Sequence, residues 1–261
     1  MIAGSAPTER LLINPFAVAI MLGSLAGLVW LGQADDWGAQ PRSSGNRLAS
    51  VERIDGGLIS LGGGLIGARA GFVLTHWLYY GSHPWESLWF WQGGLSWMGG
   101  AIGAAAGLSL YAAARRRPFW ILADSLALPV ALFSISAWIG CLLDGCAYGR
   151  RASFGLLTPT SPDLWGNLAQ RWPTQTIGAL LGIAVFALLL VYDRRKPRPG
   201  AKACLAMILL SGGGLGLEFL RADPAPVLAG LRLEALGAGA FMAVGIIGLA
   251  WRGFRGNPEG T

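Results

Sequence analysis

Seven stretches of this chain are each about 17–25 residues long and mostly apolar, roughly Leu12–Leu31, Gly57–Tyr80, Gly93–Ala114, Phe119–Leu143, Thr174–Tyr192, Cys204–Leu220 and Leu233–Trp251. Runs of that length match the hydrocarbon thickness of a bilayer, where only helices or closed barrels satisfy every backbone polar group. The expected fold class is therefore all-α, a polytopic membrane protein with about seven transmembrane helices. Charged residues are 13% of the chain and mean hydropathy is +0.50. The runs leave no room for a separate soluble domain, so one domain is expected over 1–261. The first run is too long for a cleavable signal peptide, and only Arg10 precedes it.

Basic residues divide unequally between the two sets of loops. One set holds thirteen: Arg42, Arg47, Arg53, Arg115, Arg116, Arg117, Arg194, Arg195, Lys196, Arg198, Lys202, Arg252 and Arg255. The other holds six: Arg10, Arg150, Arg151, Arg171, Arg221 and Arg232. The positive-inside rule puts the richer set in the cytoplasm, with the N-terminus outside and the C-terminus inside. The net charge of +6 is thus a statement about topology and anionic lipid, and nothing in it points to nucleic acid.

Arg69 is the exception, a cation inside the second apolar run. Near the middle of a bilayer it costs at least ~3 kcal/mol, which favours an arginine that faces a wet cavity and holds an anion. The competing reading is an arginine near a helix end that snorkels to the headgroups. Glycine is the next signal, 40 residues in all, clustered at Gly62–Gly64, Gly67 and Gly71, at Gly93, Gly94, Gly99, Gly100, Gly103 and Gly107, and at Gly212–Gly214 and Gly216. Small residues about four apart let helix backbones approach closely in lipid. Adjacent glycines also suit broken helices whose free N–H groups hold an anionic headgroup.

The remaining polar residues each have an ordinary reading. Glu218 and Arg221 are spaced to pair on one helix, and Asp144 and Arg150 suit an interface. Trp77, Trp85, Trp89, Trp91 and Trp97 suit an interfacial aromatic belt. His76 and His83 are the two histidines and make no metal site, so no metal or cofactor is expected. Cys141 and Cys146 are five apart near the end of a span. On an ideal helix they point to different faces, beyond the ~7 Å Cα limit for a disulfide, so packing cysteines are expected first. A bridge across a break at Asp144–Gly145 and a working thiol are the alternatives. Cys204 reads as a buried small apolar residue.

Several segments together resemble bacterial prolipoprotein diacylglyceryl transferases. WQGGLSWMGGAIGA (Trp91 to Ala104) is similar to the family's W-x-GG-x-S-x-HGG-x-IG, and GARAGFVL to its G-x-R-x-G-Y, which puts Arg69 on the family arginine. ADSLALPVAL resembles D-x-x-AP through Asp124 and Pro129, and GCLLDGCAYGR (Gly140–Arg150) resembles the signature G-N-F-x-N-G-E-x-x-GR. Pro173–Gln175 lies on P-x-Q, and LEFLRADP (Leu217–Pro224) on V-E-F-x-R-x-P-D. These segments span about residues 57–225. The resemblance implies transfer of a diacylglyceryl group from phosphatidylglycerol to a cysteine thiol of a lipoprotein precursor, at the outer leaflet of the bacterial inner membrane. Such chemistry needs an activated thiol and a stabilised glycerophosphate leaving group.

The resemblance also locates departures. Met98 stands where the family has a histidine, Trp138 where it has the arginine thought to hold the lipid phosphate, and Gly214 where it has another arginine. Cys141, Asp144 and Cys146 replace two asparagines and a glutamate of the signature, and Ile177 and Gly178 replace a tyrosine and a glutamate. Catalytic candidates are Arg69, Glu218 and Asp144. Lipid-binding candidates are Arg69, Gly93, Gly94, Gly99, Gly100, Arg150, Gln175 and Arg221, with Glu218 expected to pair with Arg221 or Arg69. Two functions follow: a lipid-modifying transferase with a rebuilt site, or a non-catalytic lipid-binding or assembly subunit on the same scaffold.

Overall fold

The computed structural model describes residues 14–33, 48–90, 93–155, 158–163 and 165–254. Leu12, Arg10, Arg42, Arg47, Trp91 and Arg255 lie outside the described residues. Seven helices are long and apolar enough to cross a membrane: α1 (Pro15–Gln33), α2 (Ser50–Thr75), α4 (Trp97–Ala114), α5 (Phe119–Asp144), α6 (Thr174–Asp193), α7 (Ala201–Glu218) and α8 (Leu233–Phe254). The four-residue helix α3 (Trp77–Tyr80) and a 3-10 turn at Pro84–Leu88 lie between α2 and α4. The protein is a multi-pass membrane protein of the all-α class, as the apolar runs require.

Alternation of the spans gathers the longer connections at one end of the bundle: 76–96, 145–173 and 219–232. The tight turns at 115–118 and 194–200 are at the other. Two antiparallel hairpins decorate the long-loop end, β1 (Thr160–Pro162) with β2 (Leu168–Gln170) and β3 (Val227–Leu228) with β4 (Leu231–Arg232).

The α2–α4 pair is built on glycine. Gly63, Gly67 and Gly71 face Gly99, Gly103 and Gly107, each series at a spacing of four, and the backbones touch without intervening side chains. A methyl on Gly67 would strike the carbonyl oxygen of Gly99, and one on Gly103 the carbonyl of Gly63. Gly99 and Gly100 therefore serve helix packing, and α4 runs unbroken from a Ser96 cap whose hydroxyl accepts from Gly99 N at 3.3 Å. Helix α5 is the centre of the rest: it packs on α1 and on α6 and α7. Its Ala127, Leu128 and Ala131 join Val185, Leu189 and Ala206 in one buried cluster.

Arginines and carboxylates tie the short-loop end. Arg53, 2% exposed, donates to Leu31 O (2.9 Å) and Leu48 O (3.0 Å), holding the carbonyls where α1 ends and α2 begins. Arg117 pairs with Glu52 at 2.7 Å, and Lys202 with Asp193 at 2.6 Å. Asp124, a position of the family-like segments, reaches across from α5 and accepts from Gly200 N (2.5 Å) and Ala203 N (2.8 Å). It caps the first turn of α7, where the N–H groups have no partner within the helix.

These pairings correct one expectation. Helix α2 starts at Ser50 instead of Gly57, because Glu52 and Arg53 are partnered inside the first turns and do not have to lie in a loop. It ends at Thr75 instead of Tyr80, so Arg69 sits in the last two turns of the span and not at its middle.

The glycine seam yields a test. Gly67→Ala is expected to lower thermal stability in detergent by about 1–3 kcal/mol, since only backbone can yield. Gly62→Ala, where nothing lies within 4 Å of the added carbon, is expected to be neutral or slightly stabilising.

Candidate functional site

The long-loop end carries two separate polar assemblies. The first is built by Arg69. Its side chain points about 200° around α2 from the Gly67 face, and the 86–94 segment folds over it. Nε donates to Ser87 O (2.8 Å), Nη2 to Glu86 O (2.5 Å), and Nη1 to Gly93 O (2.8 Å) and Gly94 O (3.1 Å). The guanidinium also lies 5.2 Å from the Tyr80 ring centre. Gly93 and Gly94 take positive φ, +89° and +73°, so that both carbonyls turn to the same cation. A side chain at Gly94 would collide with the Phe72 ring. Arg69 is thus a clasp for a loop, engaged by carbonyls; Glu218 is not its partner. Beneath the clasp is a groove of about 370 Å³ lined by Leu65, Ile66, Val73, Leu88 and Phe90 beside Arg69. Trp77 and Trp85 on the same connection are exposed, as an aromatic belt requires.

The second assembly begins at the end of α5. The helix stops at Asp144, and Gly145 adopts φ +79° with its N–H donating to Cys141 O at 2.9 Å. This left-handed turn swings Cys146 back until its Cα is 4.6 Å from that of Cys141, and the two form a disulfide. The expectation of packing cysteines is overturned for that reason: the ideal-helix separation does not apply past the C-cap. Cys204 is free and buried, as expected. Asp144 itself is exposed.

The strap that follows, residues 146–151, joins three helices. Cys146 O accepts from Gln175 Nε2 (2.9 Å) and Ala147 O from Thr174 Oγ1 (2.6 Å), fixing the start of α6. Arg150 N donates to Leu220 O (2.7 Å), and Ala222 N to Tyr148 O (2.9 Å), fixing the end of α7. Arg171 stacks 4.9 Å from the Tyr148 ring and pairs with Asp163 at 3.1 Å, both side chains being less than a tenth exposed. Burial raises the Tyr148 hydroxyl above its ordinary range.

Against the strap lies a cluster of five charges from α7, α8 and the connection between them. Arg221 contacts Glu218, Asp223 (2.6 Å) and Glu234 (2.9 Å). Arg232 contacts Glu218 at 2.7 Å and Asp223 at 3.4 Å, and donates to Asp223 O at 2.7 Å. Burial opposes the Arg221 charge, but the hydrogen bonds and charge of Asp223, with Glu234 and Glu218, outweigh it and raise the guanidinium further. Arg150 borders the cluster. Its Nε donates to Arg221 O at 3.3 Å, and its Nη atoms have no partner among the described residues.

The structure therefore brings Arg150, Gln175, Glu218 and Arg221 to one strap-centred assembly. Arg69, Gly93 and Gly94 form the other, and Gly99 and Gly100 belong to the α2–α4 seam. Sequence reasoning did not join Asp223, Arg232 and Glu234 to Glu218 and Arg221. The signal was the repeated Arg-x-acid spacing, Arg221-x-Asp223 and Arg232-x-Glu234, either side of a turn that folds the two together. Two of the positions where the resemblance implies a polar residue, Trp138 and Met98, pack against glycines. The Trp138 indole occupies the space a side chain at Gly178 would need, and the Met98 thioether occupies that above Gly237. Gly214 opens on free space, with nothing within 4 Å. No group of three or more metal-ligating side chains occurs among the described residues.

Arg69 and Asp163 each give a test. Arg69→Leu is expected to open the 81–95 connection to limited proteolysis while the helical bundle remains folded in detergent, since its bonds to backbone carbonyls hold that connection alone. For Asp163, burial works upward, but N–H donors of Asn167 and Trp165 and the Arg171 charge outweigh it and hold the carboxyl below its ordinary range. A depressed folded-state pKa adds stability that is present above the ordinary carboxylate range and lost as pH falls through the depressed value. Asp163→Asn is expected to flatten that acid loss in thermal unfolding measured against pH.

A family profile described as prolipoprotein diacylglyceryl transferase matches residues 7–251, a wider stretch than the motifs at 57–225. The chain is 30% identical to the phosphatidylglycerol–prolipoprotein diacylglyceryl transferase of Symbiobacterium thermophilum over 248 residues, 89% of this chain and 86% of the relative. It is 32% identical to the protein of the same name from Chromobacterium violaceum over an alignment of 275 residues, 93% of this chain and 96% of the relative. An Azoarcus relative of that name is 36% identical over 174 residues, 62% of each chain.

Proposed function

The chain belongs to the prolipoprotein diacylglyceryl transferase family, and from that premise we propose that it transfers a diacylglyceryl group from phosphatidylglycerol to a lipoprotein-precursor thiol through a rebuilt polar site. In that reaction the cysteine sulfur bonds to the glyceryl carbon, the carbon–oxygen bond to phosphate breaks, and glycerophosphate departs. The departing charge needs a cation in a low-dielectric setting. The observation that carries the reading is Arg150, an exposed residue whose Nη atoms have no partner among the described residues, beside a charge cluster whose two guanidiniums are both paired. We assign the phosphate contact to Arg150. Gln175, Glu218 and Arg221 hold the strap and cluster that aim it, and Arg69 with Gly93 and Gly94 shapes the neighbouring wall.

The same reading sets the long-loop end outside, with the N-terminus outside, the C-terminus cytoplasmic, and the protein in the bacterial inner membrane. Two independent observations support that orientation. Among the described residues, ten basic residues fall to the other end, against six here including Arg69. The Cys141–Cys146 disulfide suits the oxidising side.

A second reading is a lipid-binding or assembly subunit without transferase activity. It is favoured by Trp138 over Gly178 and Met98 over Gly237, apolar contacts where the family places an arginine and a histidine.

One assay separates the two. The purified protein is incubated with phosphatidylglycerol and a cysteine peptide from a lipoprotein precursor, and the peptide is weighed by mass spectrometry. The expected result is a gain of one diacylglyceryl group. For Arg150→Met, kcat/KM is expected to fall by about tenfold or more, the order of one lost charge-assisted hydrogen bond. Phospholipid retained by the protein with no gain on the peptide supports the subunit and rejects the transferase.

A further inference from the structure

The five-charge cluster has two guanidiniums and three carboxylates, and its members are not equally bound. Glu218 is held by both arginines, through Oε1 to Arg221 and Oε2 to Arg232. Asp223 is likewise held by both. Glu234 is the surplus carboxylate. Its Oε2 lies 2.9 Å from Arg221 Nη1 and 3.8 Å from Arg232 Nη2, charge contacts to both arginines that make no hydrogen bond. Its Oε1 has no donor among the described residues, and its side chain is 24% exposed, the most of the five. Oε2 faces the two guanidiniums.

Its place on α8 sets Glu234 beside the contact of that helix with α4. Glu234 is in the first turn, and Gly237, three residues on, lies on the same face. Met98 of α4 packs on Gly237, and Trp97 meets Phe241 at 5.7 Å one turn further along. Glu234 therefore stands at the long-loop mouth of the seam between α4 and α8, directly beyond a thioether that cannot take a proton. A thiol is a poor nucleophile until its proton leaves, and an adjacent base within hydrogen-bond reach removes it.

We propose that Glu234 is the proton acceptor for the acceptor cysteine, its open Oε1 receiving the thiol proton at the mouth of the α4–α8 seam. The inference rests on the transferase reading above. The proton passes from sulfur to Glu234 Oε1 as the sulfur–carbon bond forms and the carbon–oxygen bond to phosphate breaks. It then returns to water when glycerophosphate leaves. Arg221 and Arg232 both lie against Oε2, and both also pair with Glu218 and Asp223.

The test compares Glu234→Gln and Glu234→Asp with the wild-type protein in the peptide-transfer assay, with folding checked by thermal unfolding in the same detergent. Glu234→Gln is expected to lower kcat by a factor of about 10²–10⁴, the range for a lost general base, with little change in KM for phosphatidylglycerol. Its kcat/KM is also expected to lose the rise from acid to neutral pH seen in the wild type. Glu234→Asp keeps a carboxylate, and is expected to keep that rise at a reduced rate even if Glu234→Gln does not fold. A Gln variant within twofold of wild type, or an Asp variant with no acid limb, overturns the role of Glu234 and leaves the transferase reading standing. Absence of transfer by the wild-type protein overturns both.

Discussion

The reversal of the chain at Gly145 is the constraint on which the long-loop end depends. A helix that crosses a bilayer ends with unpaired carbonyls, and a buried end must find partners for them. Here the end of α5 is closed by a left-handed glycine and locked by the Cys141–Cys146 bond, and the carbonyls just past the lock accept from Gln175 and Thr174. The same six-residue strap then pairs its backbone with residues 220–222. Three helices thus take their relative position from one short segment, and the charge cluster is assembled on α7 and α8 beside it.

Much of the fold was legible because hydropathy reports span length directly. The α4, α5 and α6 ends fall within four residues of the apolar runs. The α2 boundary was misplaced because hydropathy counts a charge as a cost whatever its partners. Glu52 and Arg53 are paired, so the helix begins seven residues earlier than its apolar run, and Arg69 moves from the middle of the span towards its end. The glycine clusters split into two roles the sequence left open. Gly99 and Gly103 let backbones touch, whereas Gly93 and Gly94 turn their carbonyls onto a cation.

The site was legible in part. The family-like segments brought forward Arg150, Gln175, Glu218 and Arg221, and these do meet. Their partners Asp223, Arg232 and Glu234 carried no motif, and their meeting depends on the β3–β4 hairpin, a two-residue ladder too short to announce itself by alternation. Arg69 was singled out as a mid-span cation holding an anion, whereas it sits in the last two turns of α2. What satisfies it is a ring of main-chain carbonyls, which have no sequence signature.

Trp138 and Met98, where the resemblance implies an arginine and a histidine, each pack on a glycine of a neighbouring helix. Trp138 fills the space above Gly178, and Met98 the space above Gly237. A large side chain opposite a glycine keeps a packed interior at its normal density, where an isolated loss would leave a void or a clash. Both contacts are therefore closely packed interior. The α5–α6 and α4–α8 contacts at these glycines are apolar, while the α7–α8 end carries five charges within hydrogen-bond or ion-pair reach of one another, with Arg150 at their edge. Ion pairs in a low-dielectric setting are held only where several partners share the desolvation cost. On the transferase reading proposed above, the polar machinery lies at the α7–α8 end, where that sharing is available.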